Sequence, residues 1–181
     1  MSIATAENGW VNTAEGQNPA VIAKARQILE GNIYGTLSTS SRSGVPWASP
    51  IFFTYDSNWN LYWSSTVVAQ HSQNLYDNQG RAAIAIYSTD REEGQGQGLY
   101  LSGTAGEVEP ENVERVIPLL LKRAAKGQQR SPADYLTPSP RRLYRFQPQM
   151  VWITGGRIAL SETVLIDTKI QLNLASLIAR P

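Results

Sequence analysis

The chain has 181 residues, 41% of them hydrophobic, and carries 16 Lys and Arg against 15 Asp and Glu, a net charge of +1. That length favours one domain, or one with an extension, and the apolar fraction allows a sizeable core. The charge balance sets up no field toward nucleic acid or an anionic membrane. With no Cys and one His, disulfides, thiolate catalysis and Cys-based metal sites are excluded, and a His-built metal site lacks ligands. No apolar run approaches the ~20 residues of a membrane helix, and the first residues lack the basic-then-apolar order of a secretory signal. A cytoplasmic protein is expected, with any redox chemistry borrowed from a cofactor. Five Trp and eight Tyr stand beside three Phe, a balance that suits ligand clefts and subunit interfaces as well as ordinary packing.

Residues 1–18 are small and polar and are expected to form an N-terminal arm. From Pro19, apolar side chains at Val21, Ile22, Ala25, Ile28 and Leu29 follow helical spacing up to Gly31. The period then falls to two. Tyr34–Ser38, Trp47–Tyr55 and Leu61–Ser64 read as an antiparallel meander turned at 41–44 and 56–58. Pro50 cannot donate to a ladder, so that point of the second strand is an edge, a bulge, or a place where something other than a strand lies alongside. A short helix is expected over 67–77, with Leu75 inward, then a compact buried strand over 82–87 and another strand over 99–108. Glu109-Pro110-Glu111 opens a helix well, and Pro118 should bend or interrupt it. Residues 127–140 read as a loop, 143–146 and 151–154 as two short strands. The tail beyond Gly156 is too rich in Leu and Ile to be left in water; it should pack on the body or on a partner.

Few groupings here carry chemistry. Gly94–Gly98 lacks the GxGxxG spacing and precedes a strand, so it reads as a hairpin turn rather than a phosphate loop. A lone His71 followed by Ser is a weak signal for a triad, and the carboxylates at 92–93 and 107–111 flank turns and a helix start. The informative stretch is Leu61–Leu75. There a strand ends in Ser64, Ser65 and Thr66, and a helix begins with Gln70, His71 and Ser72. Hydroxyls at a strand end beside free N–H groups and an imidazole could cradle an anion; the same residues could merely cap the helix.

The order helix, meander, hydroxyl-ended strand, short helix, AAIAIY strand and LYLSG strand resembles the pyridoxamine 5'-phosphate oxidase family of FMN-binding split barrels, over about residues 19–154. The resemblance implies a mainly β fold with flanking helices, a six- to seven-stranded antiparallel split β-barrel over 19–155, with 156–181 as a C-terminal extension. It also implies a homodimer with FMN at the subunit interface. The family's ring-lining segment falls on Ser49, Pro50, Ile51 and Phe52, its strand end on Trp63, Ser64, Ser65 and Thr66, and its phosphate grip on Ala69, Gln70 and His71. Arg142 and Trp152 resemble the residues brought to the flavin across the dimer. Both cations of the phosphate grip are replaced, by Gln70 and His71, and the Arg of the ring-lining motif is Ser49. A phosphate would then rest on hydroxyls, backbone N–H groups and a charged His71, weakening above the His pKa unless Arg42, Arg141 or Arg142 folds in. The function implied is that of an FMN-binding oxidoreductase acting on a small substrate. The alternative is a carrier or sensor that binds a flavin or related cofactor without turnover.

Overall fold

A computed structural model of the chain describes residues 4–178; the outermost residues of the expected arm and extension, 1–3 and 179–181, lie outside it. The chain separates into two compact units, Met1–Asn32 with Ile86–Leu101 and Met150–Pro181, and Ile33–Ala85 with Ser102–Gln149.

The second unit holds β2 (Tyr34–Ser40), β3 (Pro46–Phe52), β4 (Thr54–Tyr55), β5 (Leu61–Thr66), α2 (Gln70–Asp77) and α3 (Val113–Arg123). It also holds most of β6 (Arg81–Tyr87) and the adjoining parts of β7 (Gly98–Glu107) and β8 (Arg141–Ala159). β2 pairs antiparallel with β3, Tyr34 opposite Phe52 and Ser40 opposite Pro46, and with β6 on its other side. The expected second strand, 47–55, divides at Phe53. The two-residue β4 turns to β5, and β5 pairs with β8 from Leu61↔Phe146 to Thr66↔Arg141. The meander therefore stops after two strands. Phe53, fully buried, is drawn inward where the chain changes direction.

α3 runs through Pro118 without interruption. Proline removes one helical hydrogen bond and crowds the preceding turn, a cost of about 3 kcal/mol. Against that, Val113, Val116, Ile117 and Leu120 all enter a buried cluster with Tyr62, Val108, Tyr135 and Leu143. At about 1.5–3 kcal/mol for each buried aliphatic side chain, packing outweighs the break. The helix ends at Arg123, short of Gly127, where the expected loop begins. Two glycines allow close approach in this unit. Gly80 has φ +71 and lies against the backbone of Ala105, and Gly103 lies against the Gln147 carbonyl.

The first unit holds β1 (Val11–Asn12), α1 (Pro19–Gly31), β9 (Leu165–Leu172) and α4 (Leu174–Ile178). α1 is capped by Asn18, whose side chain accepts from the Ala20 N–H at 3.0 Å, and begins with Pro19, as helix starts favour. The tail folds back as β9, antiparallel to β8 and parallel to β1, with a register shift between Thr154 and Arg157 around the paired glycines. Arg26 on α1 donates to the Leu177 carbonyl at 3.0 Å, fixing α4. The expected short strands 143–146 and 151–154 are parts of the single 19-residue β8. β1 and β9 account for the strands beyond the expected set.

Candidate functional site

In the second unit a cleft of about 640 Å3 is lined by residues from β3, β5, α2 and the end of α3. That volume lies within the roughly 300–1,000 Å3 of small-molecule sites. β3 supplies Pro50, Ile51 and Phe52. Among the strand pairs of this unit β3 meets only β2, so Pro50 occupies an edge, where a missing N–H breaks no rung. Tyr34 packs edge-to-face on Phe52, centroids 5.9 Å apart, and both line the cleft. β5 brings Trp63, Ser64 and Ser65, the end of a strand whose first three residues are buried and whose last three are half-buried.

His71, on the first turn of α2, ties these strands together. Its Nδ1 lies 3.1 Å from Ser49 Oγ and its Nε2 2.8 Å from Ser65 Oγ. Ser49 Oγ also accepts from the Trp47 indole N–H at 2.9 Å. One neutral tautomer satisfies every atom, with Ser49 donating to Nδ1 and Nε2–H donating to Ser65. Burial pushes the His71 pKa below the ordinary 6.5, because desolvation disfavours the imidazolium. The ring is thus neutral near pH 7, and the positive charge expected of it is not supplied. Nor does Ser65 cap α2: the N-cap is Ala69, without a side-chain cap bond.

Trp63 is 1% exposed and stacks on Tyr144, centroids 5.5 Å apart and planes at 13°. Tyr144 bonds the Tyr76 hydroxyl at 2.7 Å, and Tyr76 donates to Glu107 at 2.6 Å. Glu107 also pairs with Arg142 at 3.5 Å. Burial, and for Tyr76 the Glu107 carboxylate, push both phenol pKa values up, so both hydroxyls remain donors. The Trp63 indole N–H is buried and has no hydrogen-bond partner among the described residues.

A family model described as pyridoxamine 5'-phosphate oxidase matches residues 21–155. The chain belongs to that family. No curated protein matches it. Among solved structures it is similar to a heme binding protein from Mycobacterium smegmatis, with TM-score 0.65 and 22% identity, over 89% of this chain and 61% of that one. It is similar to a protein of unknown function from Agrobacterium tumefaciens, with TM-score 0.65 and 21% identity, over 78% and 59%. A third is an F420 reductase, TM-score 0.52 and 21% identity, over 70% and 94%. The chain therefore spans about three fifths of the length of the first two. At these identities the likeness is one of fold: mainly β, of the split-barrel kind.

Of the positions expected from the sequence to meet a flavin, Pro50, Ile51, Phe52, Trp63, Ser64, Ser65 and His71 line one cleft, and Ser49 is bonded to His71. The others lie apart. Gln70 is engaged along its own helix by Asn74 at 2.9 Å. Thr66 sits at the β5–β8 end opposite Arg141. Arg142 is held by Ser139, Thr137 and Glu107. Trp152 belongs to the first unit, opposite Gln171 on β9. Arg42 lines a separate hollow with Ser40 and Asn78. Sequence reasoning missed Arg123, Gln128 and Arg130, which also line the cleft. Arg123 sits 4.9 Å from the Phe53 ring centroid and 5.2 Å from that of Tyr55. Arg130 donates to the Tyr135 hydroxyl at 2.7 Å. Arg123, in the last turn of α3, reads as an ordinary complement to the helix dipole, and Gln128 and Arg130 fall in the loop after it, where no periodicity marks them.

Proposed function

We propose that this protein binds FMN in the β3–β5–α2 cleft and acts as an FMN-dependent oxidoreductase on a small substrate, as a cytoplasmic homodimer. The observation that carries this reading is the buried Trp63 indole N–H without a partner among the described residues, in a cleft lined by the segments that the sequence resemblance assigns to FMN. Buried donors are nearly always satisfied, so an orphan beside a cleft favours a ligand with an acceptor there. The remaining lining fits a planar, anionic cofactor. Ile33, Tyr34 and Phe52 offer apolar and aromatic surface, Ser64 and Ser65 offer hydroxyls, and no carboxylate is among the lining residues.

FMN when bound would supply hydride or electron transfer. The chain's own part is to bind and orient. Ser64 and Ser65 would donate to polar edges of the ligand, and Ile51 and Phe52 would exclude water from one side. The Ser49–His71–Ser65 bridge would hold β3 and β5 at a constant separation. The partner subunit's Trp152 would close the cleft in a dimer, the role that the sequence resemblance implies; Arg142, the other residue so assigned, would first have to leave Glu107.

Flavin titration tests the reading: quenching of flavin fluorescence with near-stoichiometric saturation supports it, and a protein that ignores FMN sinks it. A second reading, a carrier without turnover, is favoured by the loss of the family's cations at Gln70 and His71 and by the heme binding named for the M. smegmatis protein. Anaerobic NADH or NADPH separates the two, since only an enzyme using that donor bleaches the bound flavin.

A further inference from the structure

The cleft is electrically one-sided. At the positions where the family carries its phosphate cations this chain has Gln70, tied to Asn74, and His71, neutral and bonded through both nitrogens to serines. Positive charge enters from the end of α3 and the loop after it instead. Arg123 and Arg130 both line the cleft, and neither Asp nor Glu is among its lining residues.

Both guanidiniums are held in place. Arg123 is flanked by the Phe53 and Tyr55 rings and donates to the Phe53 carbonyl at 3.5 Å. Arg130 is anchored through Nη1 to Tyr135, itself 3% exposed. The Nε of Arg130 is buried and has no hydrogen-bond partner among the described residues. A guanidinium stays charged at every ordinary pH, and its donors are costly to bury unsatisfied. Nε together with a neighbouring Nη forms the fork that an oxyanion accepts through two oxygens. Lysine could not present that fork, and the Tyr135 anchor leaves it intact.

We propose that Arg130, assisted by Arg123, grips the phosphate monoester of the flavin nucleotide, so that the cations missing from α2 are supplied by the end of α3 and the loop after it. The inference rests on the FMN reading and specifies which group of the ligand faces which wall.

The test compares FMN with riboflavin, which differ only by that phosphate. The wild-type protein binds FMN at least roughly tenfold more tightly than riboflavin, the worth of one charge-assisted hydrogen bond or more. Arg130→Gln lowers FMN affinity by roughly tenfold to a hundredfold and leaves riboflavin affinity within about twofold. Arg130→Lys, which keeps charge but not the fork, falls between. Should Arg130→Gln not fold, salt serves on the wild type: added NaCl weakens FMN binding and spares riboflavin. Equal affinity for the two flavins, or an Arg130→Gln loss shared by both, overturns the phosphate assignment and leaves flavin binding standing. A wild-type protein that binds neither flavin overturns both readings.

Discussion

Replacing Ser49 by Ala tests the bridge that joins the two strands of the cleft. Ser49 is 8% exposed, and its hydroxyl meets both the Trp47 indole N–H and His71 Nδ1. Trp47 is 49% exposed, so water replaces its lost acceptor at little cost. His71 Nδ1 is half-buried, and a buried polar atom that loses its partner costs about 1–3 kcal/mol. Allowing for partial access of water, Ser49→Ala should destabilise the protein by about 1–2 kcal/mol. For a chain of this size that is a fall in melting temperature of about 2–8 °C, readable by circular dichroism. The loss should run through the imidazole. In a His71→Ala background the same substitution should cost about 0.5 kcal/mol or more less than in the wild type, the coupling expected of groups in contact. An unchanged melting temperature, or the same cost in both backgrounds, would show that the serine–histidine contact does not hold the site.

His71 is the chain's single histidine, so its imidazole resonances need no assignment. An NMR titration should place its midpoint below 6.5, since burial opposes protonation. With the folded pKa below the unfolded one, the unfolded state binds more protons between the two values. Stability is therefore full above about pH 6.5 and declines as the pH falls from there through the folded pKa. Urea unfolding at several pH values should show that decline, and His71→Asn should flatten it; a midpoint above 6.5 would contradict the buried neutral ring. Tyr76→Phe removes the hydroxyl between Tyr144 and Glu107 and should cost about 1 kcal/mol, seen as a lower urea midpoint with an unchanged slope. Gly103→Ala places a methyl against the backbone of Gln147 on the neighbouring strand. Because backbone cannot yield as a flexible side chain does, a loss above about 3 kcal/mol is expected, and a variant melting like the wild type would rule out that close approach.

What could be read from the sequence and what could not divide along physical lines. Period-two runs exposed most strands, because alternation is a property of each strand alone. β8 runs unbroken through Pro148, between the two short strands expected at 143–146 and 151–154. The β5 register ends at Phe146 and the β9 register begins at Val151, so on that side of β8 Pro148 falls between the two ladders. The site divides in the same way. Pro50–Phe52, Trp63–Ser65 and His71 are local segments whose order along the chain carries the resemblance, and the fold brings them to one cleft. Arg123 and Arg130 reach the cleft only because α3 packs its apolar face on Tyr62 and Leu143, an arrangement that no local window contains. Gln70 and His71 look like lost function when positions are compared one by one. Yet an anion requires positive charge at a point in space, not at a position in the chain, and α3 and the loop after it bring that charge to the same cleft.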